Sequence, residues 1–212
     1  MSIRKKILAI SIGPVLVLGV ITLLFMLTMV KSSLMDEVQD ALKGTAAATL
    51  AAYDQNTGDY LESTNGDIWK GSYNISKSES LVDRIKENTG MDVTFFYGNK
   101  RIMTSALDKK GNRILGSEAG ERVVNQVIKG KKPFFSTNVS LDGTRNYGYF
   151  IPVYQNGTTD QVIGMVFVGT NKARKDAIVN KILGSIMMAL LVVMLLCIVT
   201  AMRMAASISK NI

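Results

Sequence analysis

The sequence predicts an α+β fold placed between two membrane-spanning helices, and three observations lead to this prediction. Two long runs, residues 7–30 and 182–202, contain no charged side chain. A helical pattern continues from the first run, and after Gly90 it gives way to short segments rich in β-branched and aromatic residues. Turn residues join these later segments at hairpin spacing, so the predicted sheet is antiparallel.

The two uncharged runs are long enough to cross a membrane as helices. At about 1.5 Å per residue, residues 7–30 reach roughly 36 Å, against a hydrocarbon core of about 30 Å. A cleaved signal peptide is the alternative for this run, because Arg4, Lys5 and Lys6 precede it. Signal peptides have shorter apolar cores and a small-residue cleavage site, and this run ends in LTMVKSSL without one. We therefore predict that 7–30 and 182–202 are both retained spans.

Basic residues near the spans predict which side of the membrane each segment occupies. Residues 1–6 carry three of them and are assigned to the cytoplasm, as are residues 203–212 after the second span. Residues 31–176 are then predicted to form one extracytoplasmic domain, with both termini cytoplasmic. Four basic residues between positions 172 and 181 oppose this assignment, but long translocated domains largely escape the charge rule.

The predicted outer domain begins with helices. Residues 31–55 continue the first span, and small or apolar side chains recur there at heptad-like intervals: Leu34, Val38, Ala41, Thr45, Ala48 and Ala52. This stripe packs either on its own domain or against a second copy in a dimer. Residues 54–77 are rich in turn residues. A second helix follows, which Ser78 or Ser80 caps and Gly90 ends.

About five strands are predicted after Gly90. The first two form a hairpin around a Gly-Asn turn, from MDVTFFYG to KRIMTSAL. A loop and a short helix closed by Gly130 separate this hairpin from the rest. Three further segments follow at hairpin spacing and predict an antiparallel meander: PFFSTNVSL, TRNYGYFIPVYQ and VIGMVFVGT. The last strand leads almost directly to the second span.

The composition removes several classes of function. The 212 residues include no histidine, and the single cysteine, Cys197, lies within the second predicted span. Most general-base, metal and thiol mechanisms therefore have no candidate residue, and no phosphate-binding loop or nucleophile-elbow motif occurs. We predict that the protein is not an enzyme and uses no cofactor or metal. The net charge of +8 does not predict nucleic-acid binding, because no basic stripe is interleaved with aromatic residues.

What remains is a binding site on the predicted sheet. One guanidinium, two hydroxyls and three phenols lie on strands among apolar neighbours: Arg101, Thr104, Ser105, Tyr97, Tyr147 and Tyr149. Ligand pockets are mostly apolar with a few convergent polar groups, and a guanidinium binds a carboxylate through two hydrogen bonds. The alternation of a regular strand places Arg101, Met103 and Ser105 on one face and Thr104 on the other. The competing interpretation is that Arg101 reaches water from the hairpin edge and the tyrosines are ordinary core.

Four segments of the outer domain resemble the single Cache sensor domain, a PAS-like fold, of bacterial methyl-accepting chemotaxis receptors. They are DVTFFYGNKRIMTSAL, GSEAGERVVNQVIKGKKPFF, NYGYFIPVY and VIGMVFVGTNK. The final segment, RMAASISKNI, resembles the opening of a HAMP linker, at which the chain stops. The resemblance covers residues 31–176 and implies a long N-terminal helix packed on an antiparallel sheet.

The resemblance also implies a function. Such domains bind small metabolites, often organic acids, form homodimers and pass helix shifts through the bacterial cell membrane. Within the family an Arg-x-x-Thr-Ser segment lines the pocket, which corresponds to Arg101, Thr104 and Ser105, and an aromatic strand corresponds to Tyr147 and Tyr149. We therefore expect a membrane-embedded sensor for a small, anionic ligand. The alternatives are the sensor of a histidine kinase or nucleotide cyclase, a stand-alone anchored binding protein, and an adhesion module.

Overall fold

The computed structural model describes residues 3–210. Its helices are α1 Ile3–Asp54, α2 Glu79–Thr89, α3 Glu121–Val123 with a π-helical continuation Val124–Lys129, and α4 Lys172–Lys210, and a 3₁₀ turn occupies Ile75–Lys77. Its strands are β1 Tyr60–Glu62, β2 Ile68–Lys70, β3 Tyr73–Asn74, β4 Asp92–Tyr97, β5 Lys100–Thr104, β6 Phe134–Leu141, β7 Thr144–Tyr154 and β8 Val162–Asn171. The outer ends of two predicted segments, the N-terminus 1–6 and the HAMP opening 203–212, lie outside the described residues.

Two helices, within α1 and α4, are long and apolar enough to cross a membrane. No residue of the most apolar stretch of either helix is buried. Large side chains such as Phe25 and Leu195 are more than half exposed, which suits contact with lipid. The chain divides into two compact units, one formed by the terminal segments up to Asp36 and from Asp176, the other by residues 37–175. The predicted domain boundaries stay predictions.

Within residues 37–54, α1 packs on the rest of the unit of residues 37–175 through a different stripe from the predicted one. The buried positions follow intervals of four, three and four residues: Leu42, Ala46, Thr49 and Tyr53. Ala41 and Ala48, which belong to the predicted stripe, are exposed. The packing stripe is shifted by one position because leucine and tyrosine side chains bury more apolar surface than alanine. The dimer contact expected for this helix stays a prediction.

The turn-rich segment 54–77 contains a small antiparallel sheet, β1–β2–β3, that the sequence pattern does not predict. Its strands have three, three and two residues, too few to show an alternating pattern. Gln155, just after β7, holds β1 in place: its side chain accepts a hydrogen bond from Tyr60 N at 2.7 Å and donates one to Tyr60 O at 3.0 Å. On β2, the buried Lys70 Nζ lies 2.7 Å from the Asp54 carboxylate at the end of α1.

The predicted five-stranded antiparallel sheet is confirmed, in the order β5-β4-β8-β7-β6. The β4–β5 hairpin and the β6–β7–β8 meander both form, and β8 joins them by pairing with β4 along its length. The turn between β6 and β7 has φ values of 45° at Asp142 and 77° at Gly143, which a two-residue hairpin turn favours. Helices and this sheet together confirm the α+β class.

The two faces of the five-stranded sheet have different partners. On the first, called the α1 face, Tyr53 of α1 and Tyr60 of β1 pack on Phe95, with ring centroids 5.2 and 5.8 Å away. On the second, called the α3 face, lies a buried apolar cluster that includes a residue of the π-helical segment: Phe96, Phe150, Met165, Phe167 and Val127. The sheet is therefore covered on both sides within the unit of residues 37–175.

The loop between β5 and α3 folds back along the free edge of β5. Arg101 N donates a hydrogen bond to Ser117 O at 2.9 Å. Arg113 anchors the loop to α2, because its Nη1 and Nη2 atoms donate to the two carboxylate oxygens of Asp83 at 2.9 and 2.6 Å. Nη1 of Arg113 also donates to Thr104 O at 2.8 Å. The loop is thus held on two sides.

We predict that Asp83→Asn lowers stability in a pH-dependent way. The hydrogen bonds from Arg113 lower the pKa of the Asp83 carboxyl, against desolvation, which raises it. A depressed folded-state pKa contributes stability above the unfolded-state pKa of about 3.9, and this contribution is lost as the pH falls below it. Because the Asp83 side chain is 44% exposed, we expect a loss of about 0.5–1 kcal/mol at neutral pH.

The measurement is thermal unfolding of the full chain in detergent at neutral pH and at about pH 3. The gap between wild type and Asp83→Asn should narrow in acid, because protonation of the Asp83 carboxylate progressively removes the ion pair that the variant lacks. Asp160→Asn is the matched control, because Asp160 is an exposed carboxylate outside the described ion pairs. A gap that does not change with pH would show that the ion pair is not its source.

Candidate functional site

A cavity lies on the α3 face of the sheet, beneath α3 and beside β6. Its volume is about 540 Å³, within the range of about 300–1,000 Å³ typical of ligand pockets. The loop before α3, the start of α3, β6 and single residues of the other strands line it: Phe96, Arg101, Glu118, Ala119, Gly120, Arg122, Val123, Phe134, Phe135, Ser136, Thr137, Asn138, Val139, Ser140, Phe150 and Phe167. We call it the α3 cavity.

Arg101 is the buried charge of the α3 cavity, with only 8% of the residue exposed. Its guanidinium carbon lies 5.4 Å from the centroid of the Phe96 ring, and its Nη1 donates to Ile114 O at 3.2 Å. Its Nε is buried without a hydrogen-bond partner. None of the ion pairs among residues 3–210 includes Arg101. The guanidinium therefore retains unused hydrogen-bonding capacity inside the protein.

The electrostatic setting of Arg101 follows from its burial. Desolvation lowers the pKa of the guanidinium, and the Asp92 carboxylate acts in the opposite direction. Arginine nevertheless stays charged at neutral pH. Asp92 itself is bound by Lys86 Nζ at 2.8 Å, so its charge is already shared. An anion in the cavity would restore the interactions that Arg101 loses on burial.

An irregularity in the β4–β5 ladder turns Arg101 toward this cavity. Phe95 pairs with Met103 and Phe96 with Arg101, so Ile102 has no partner across the ladder. Such a bulge changes the phase of a strand. Arg101 consequently lies with Phe96 on the α3 face, and Met103 lies with Phe95 on the α1 face. The predicted common face for Arg101 and Met103 is wrong, because the prediction assumed regular alternation.

The hydroxyls of Thr104 and Ser105 bond to the protein itself. Thr104 Oγ1 lies 2.6 Å from Thr94 Oγ1 and accepts a hydrogen bond from Ala106 N at 3.1 Å. Ser105 Oγ accepts one from Val93 N at 2.9 Å. Both residues are buried, and neither lines the α3 cavity. Their predicted role as ligand contacts stays a prediction, and this geometry favours a structural role instead.

The three predicted tyrosines share the α1 face, opposite to Arg101. Tyr97 follows Phe95 by two residues on a regular strand, and Tyr149 pairs with Val168 across the β7–β8 ladder. Tyr147 stacks on Phe135 with ring centroids 6.4 Å apart. The structure therefore does not bring these phenols and Arg101 into one site, and the tyrosines stay only predicted as ligand contacts.

The sequence reasoning missed most residues that line the α3 cavity. Phe96 and Phe150 are the direct neighbours of the predicted Tyr97 and Tyr149, so the residues that line the cavity lie one position away on the same strands. Arg122 was also missed. It is exposed, and its guanidinium carbon lies 5.4 Å from the Phe134 ring centroid. The signal available in the sequence was the concentration of phenylalanine on four of the five predicted strands.

Comparison with known protein families identifies the fold. The family described as Single cache domain 3 matches residues 73–182, which is just over half of the chain. No curated protein sequence matches the chain significantly.

Among solved structures, several receptor and sensor domains show partial similarity to this chain. The extracellular ligand binding receptor from Desulfohalobium retbaense DSM5692 has 14% identity and a TM-score of 0.49, over 71% of this chain and 26% of that one. The sensor domain of E. coli DcuS has 13% sequence identity and a TM-score of 0.40, over 72% of this chain and 98% of that one. The ligand-binding domain of the Campylobacter jejuni chemoreceptor Tlp3 in complex with L-valine has 10% sequence identity and a TM-score of 0.46, over 83% of this chain and 66% of that one. The chain thus spans about a quarter of the first of these chains and just under two thirds of the third.

We predict that Thr104→Val destabilises the unit of residues 37–175 by about 1–3 kcal/mol, because the buried Thr94 hydroxyl and the Ala106 N–H both lose a partner. Adding Thr94→Val removes one of these unsatisfied groups, so the double variant should recover part of the loss. Denaturant unfolding of the full chain in detergent measures both effects. A stable Thr104→Val variant that no longer binds ligand would instead assign Thr104 to the ligand site.

Proposed function

The chain belongs to the Single cache domain 3 family, and from this premise we propose that it is the extracytoplasmic sensor of a transmembrane chemoreceptor. It binds a small anionic metabolite and passes a helix shift across the membrane to a signalling module. The domain lies outside a bacterial cell, both termini lie in the cytoplasm, and the protein acts as a homodimer. It works by binding and carries out no catalytic step.

The observation that carries this proposal is the guanidinium of Arg101. Burial of an unpaired charge costs several kcal/mol, roughly 3–5 where a partner has been removed. Ile114 O occupies Nη1, and no described hydrogen bond involves Nε or Nη2. These two atoms form the edge of the fork that binds a carboxylate through parallel hydrogen bonds. A carboxylate is therefore the ligand group that this site fits best.

A second set of contacts supports the transmission of a shift from the cavity to α4. β8 ends at Asn171 and α4 begins at Lys172, without a linker. Lys172 Nζ donates to Thr137 O at 3.1 Å, and Thr137 lines the α3 cavity. Thr137 also lies where the β6–β7 pairing is irregular, between Ser136 and Val139. A ligand that moves this part of β6 would pull directly on the first residue of α4.

We predict that Arg101→Gln weakens ligand binding strongly without lowering the stability of the unliganded protein. Loss of one partner from a buried charged contact weakens binding by about 2 kcal/mol or more, roughly 30-fold. The unliganded variant should be as stable as wild type or more stable, because a buried charge without a counter-ion has been removed.

A thermal-shift screen of the full chain in detergent tests this, with small carboxylates, amino acids, purines and pyrimidines. A hundredfold excess over Kd stabilises by about 2.7 kcal/mol, or roughly 5–10 °C for a chain of this size. Arg145→Gln is the matched control, because Arg145 is an exposed arginine outside the cavity lining. A stabilising anion that binds Arg101→Gln as well as wild type would contradict the proposed site.

We predict that Lys172→Met separates binding from response. The variant keeps the cavity and should retain the wild-type Kd, but it loses the bond between α4 and Thr137. Coupling free energies are about 1–3 kcal/mol, so the loss of one charged hydrogen bond removes a large part of the coupling. The measurement is the ligand response of a chimera in which this chain precedes a chemoreceptor signalling module, together with Kd.

Two further variants serve as comparisons for Lys172→Met. Lys175→Met is the matched control, since Lys175 is another lysine of the first turn of α4 and has no described hydrogen bond or ion pair. An insertion of two glycines after Lys175 interrupts α4 and should abolish the response completely. A normal response from Lys172→Met would show that the continuous β8–α4 connection transmits the signal by itself.

A further inference from the structure

One short segment of the loop between β5 and α3, residues 113–117, holds both the backbone and the side chain of Arg101. Arg101 N donates a hydrogen bond to Ser117 O, and Gly116 N donates one to Arg101 O, both at 2.9 Å. Nη1 of Arg101 donates to Ile114 O at 3.2 Å. In the part of the chain that the structure describes, Ile114 O is the one hydrogen-bond acceptor of the guanidinium. The guanidinium therefore depends on this carbonyl for its orientation.

Arg113 fixes the Ile114 carbonyl from the preceding position in the chain. Its Nη1 and Nη2 atoms donate hydrogen bonds to both carboxylate oxygens of Asp83 on α2, and Nη1 also donates to Thr104 O. Ile114 N donates to Ala106 O at 3.1 Å. The three residues that follow Ile114 are exposed, so they bury little surface that could hold the segment in place. The ion pair with Asp83 therefore anchors the segment directly beside the carbonyl.

The hydrogen bond to Ile114 O decides which edge of the Arg101 guanidinium is free. The Phe96 ring lies 5.4 Å from the guanidinium carbon, and contact with the face of a ring does not select one edge of the guanidinium over another. Because Ile114 O holds Nη1, the edge formed by Nε and Nη2 stays free to bind a carboxylate through two hydrogen bonds. A displaced Ile114 carbonyl would release Nη1 and let the guanidinium turn. The affinity for a carboxylate would then fall.

From these contacts, and resting on the proposed function, we propose that Arg113 and Asp83 are positioning residues for Arg101. They lie outside the lining of the α3 cavity and act through Ile114 O, which keeps the carboxylate-binding edge of Arg101 turned toward the ligand. The same ion pair connects α2 to the site, so α2 supports ligand binding without contacting the ligand. If the pair only stabilised the loop, its loss would leave the orientation of Arg101 and the affinity unchanged.

The test observes Arg101 directly through its reaction with phenylglyoxal, which modifies accessible guanidinium groups. The full chain in nanodiscs is treated with the reagent, and modification of Arg101 is followed by mass spectrometry of peptides. Wild type should react slowly, because Arg101 is 8% exposed and is held by Ile114 O. Asp83→Asn should react about two- to fivefold faster, the factor by which loss of a partly exposed ion pair favours local opening.

Two variants separate positioning from a general loss of stability. Asp67→Asn is the matched control, because the Asp67 carboxylate also has partners, Asn74 Nδ2 at 2.9 Å and Lys77 Nζ at 3.6 Å, but lies in the turn before β2. This variant loses an ion pair elsewhere in the same unit, so Arg101 should react at the wild-type rate. Asp83→Glu keeps a carboxylate for the ion pair and should restore a rate close to that of wild type.

Substitution of Arg113 gives a second readout of the same ion pair. Arg113→Met also loses the hydrogen bond to Thr104 O, so Arg101 should react at least as fast as in Asp83→Asn. Adding Asp83→Asn to this variant should cause no further increase, because Asp83 acts on Arg101 through Arg113. Additive increases would contradict this shared route.

Acetate is the probe for binding, because it offers a carboxylate and little else. Bound acetate should protect Arg101 of wild type from phenylglyoxal. The acetate concentration that gives half of the full protection should be about two- to fivefold higher in Asp83→Asn, because the guanidinium spends less time in the binding orientation. It should be unchanged in Asp67→Asn.

The outcomes separate the positioning role from the proposed function. Faster modification and weaker protection in Asp83→Asn and Arg113→Met, but not in Asp67→Asn, support both. If acetate protects wild type and these two variants equally, or if Asp67→Asn changes Arg101 as much as Asp83→Asn does, the positioning role is overturned and the anion site stands. If acetate does not protect wild type, the carboxylate site is overturned, and the rate of modification alone decides whether the ion pair positions Arg101.

Discussion

The β4–β5 ladder contains one more residue on β5 than on β4, and the position of the buried charge depends on this extra residue. Without the bulge at Ile102, Arg101 would share a face with Met103 and would pack toward Tyr53 and Tyr60. With the bulge, its side chain enters the α3 cavity while its backbone pairs with Ser117 of the loop. One local irregularity thereby places the cation and ties down the loop that lines the cavity beside it.

Two other buried or partly buried cationic side chains of the same domain have carboxylate partners, and Arg101 differs from them in this respect. Lys70 is as buried as Arg101, but Asp54 lies 2.7 Å from its Nζ and the Tyr60 ring 4.2 Å from it. Arg113 is partly buried and is held by both carboxylate oxygens of Asp83. These pairs satisfy structural charges where they are buried. Arg101 has an aromatic ring and one carbonyl instead, which suits a charge whose counter-ion is a ligand.

The sequence predicted the five-stranded sheet and the longer helices, but it predicted neither the small sheet β1–β2–β3 nor the arrangement of the site. The spacing of apolar residues and the positions of turn residues predict helices and strands. The five strands of the sheet, α2 and the two apolar helices were therefore all predicted. The face of the sheet on which a side chain lies depends on the exact register of its strand. The unpaired residue Ile102 shifts this register by one position, so the residues before it lie on the opposite face from the one that regular alternation predicts. The prediction therefore joined Arg101, which lines the cavity, to Tyr97 and Tyr149, which do not; their neighbours Phe96 and Phe150 line it instead. The hydrogen bonds of Thr104 depend on cross-strand register and had no sequence signal.

The two irregular strands, β5 and β6, are the two edges of the sheet. Between them, β4, β8 and β7 pair with hardly an interruption and form a stiff centre, whereas the irregular stretches have fewer ladder bonds to hold them. The cavity reaches from Arg101 on one edge to Thr137 on the other. Under the proposed function, a ligand bound along the cavity would act on both irregular edges across a more regular middle. Lys172 is attached to the β6 edge through Thr137 and to the middle through β8, so a small displacement between the edge and the middle would become a displacement at the start of α4.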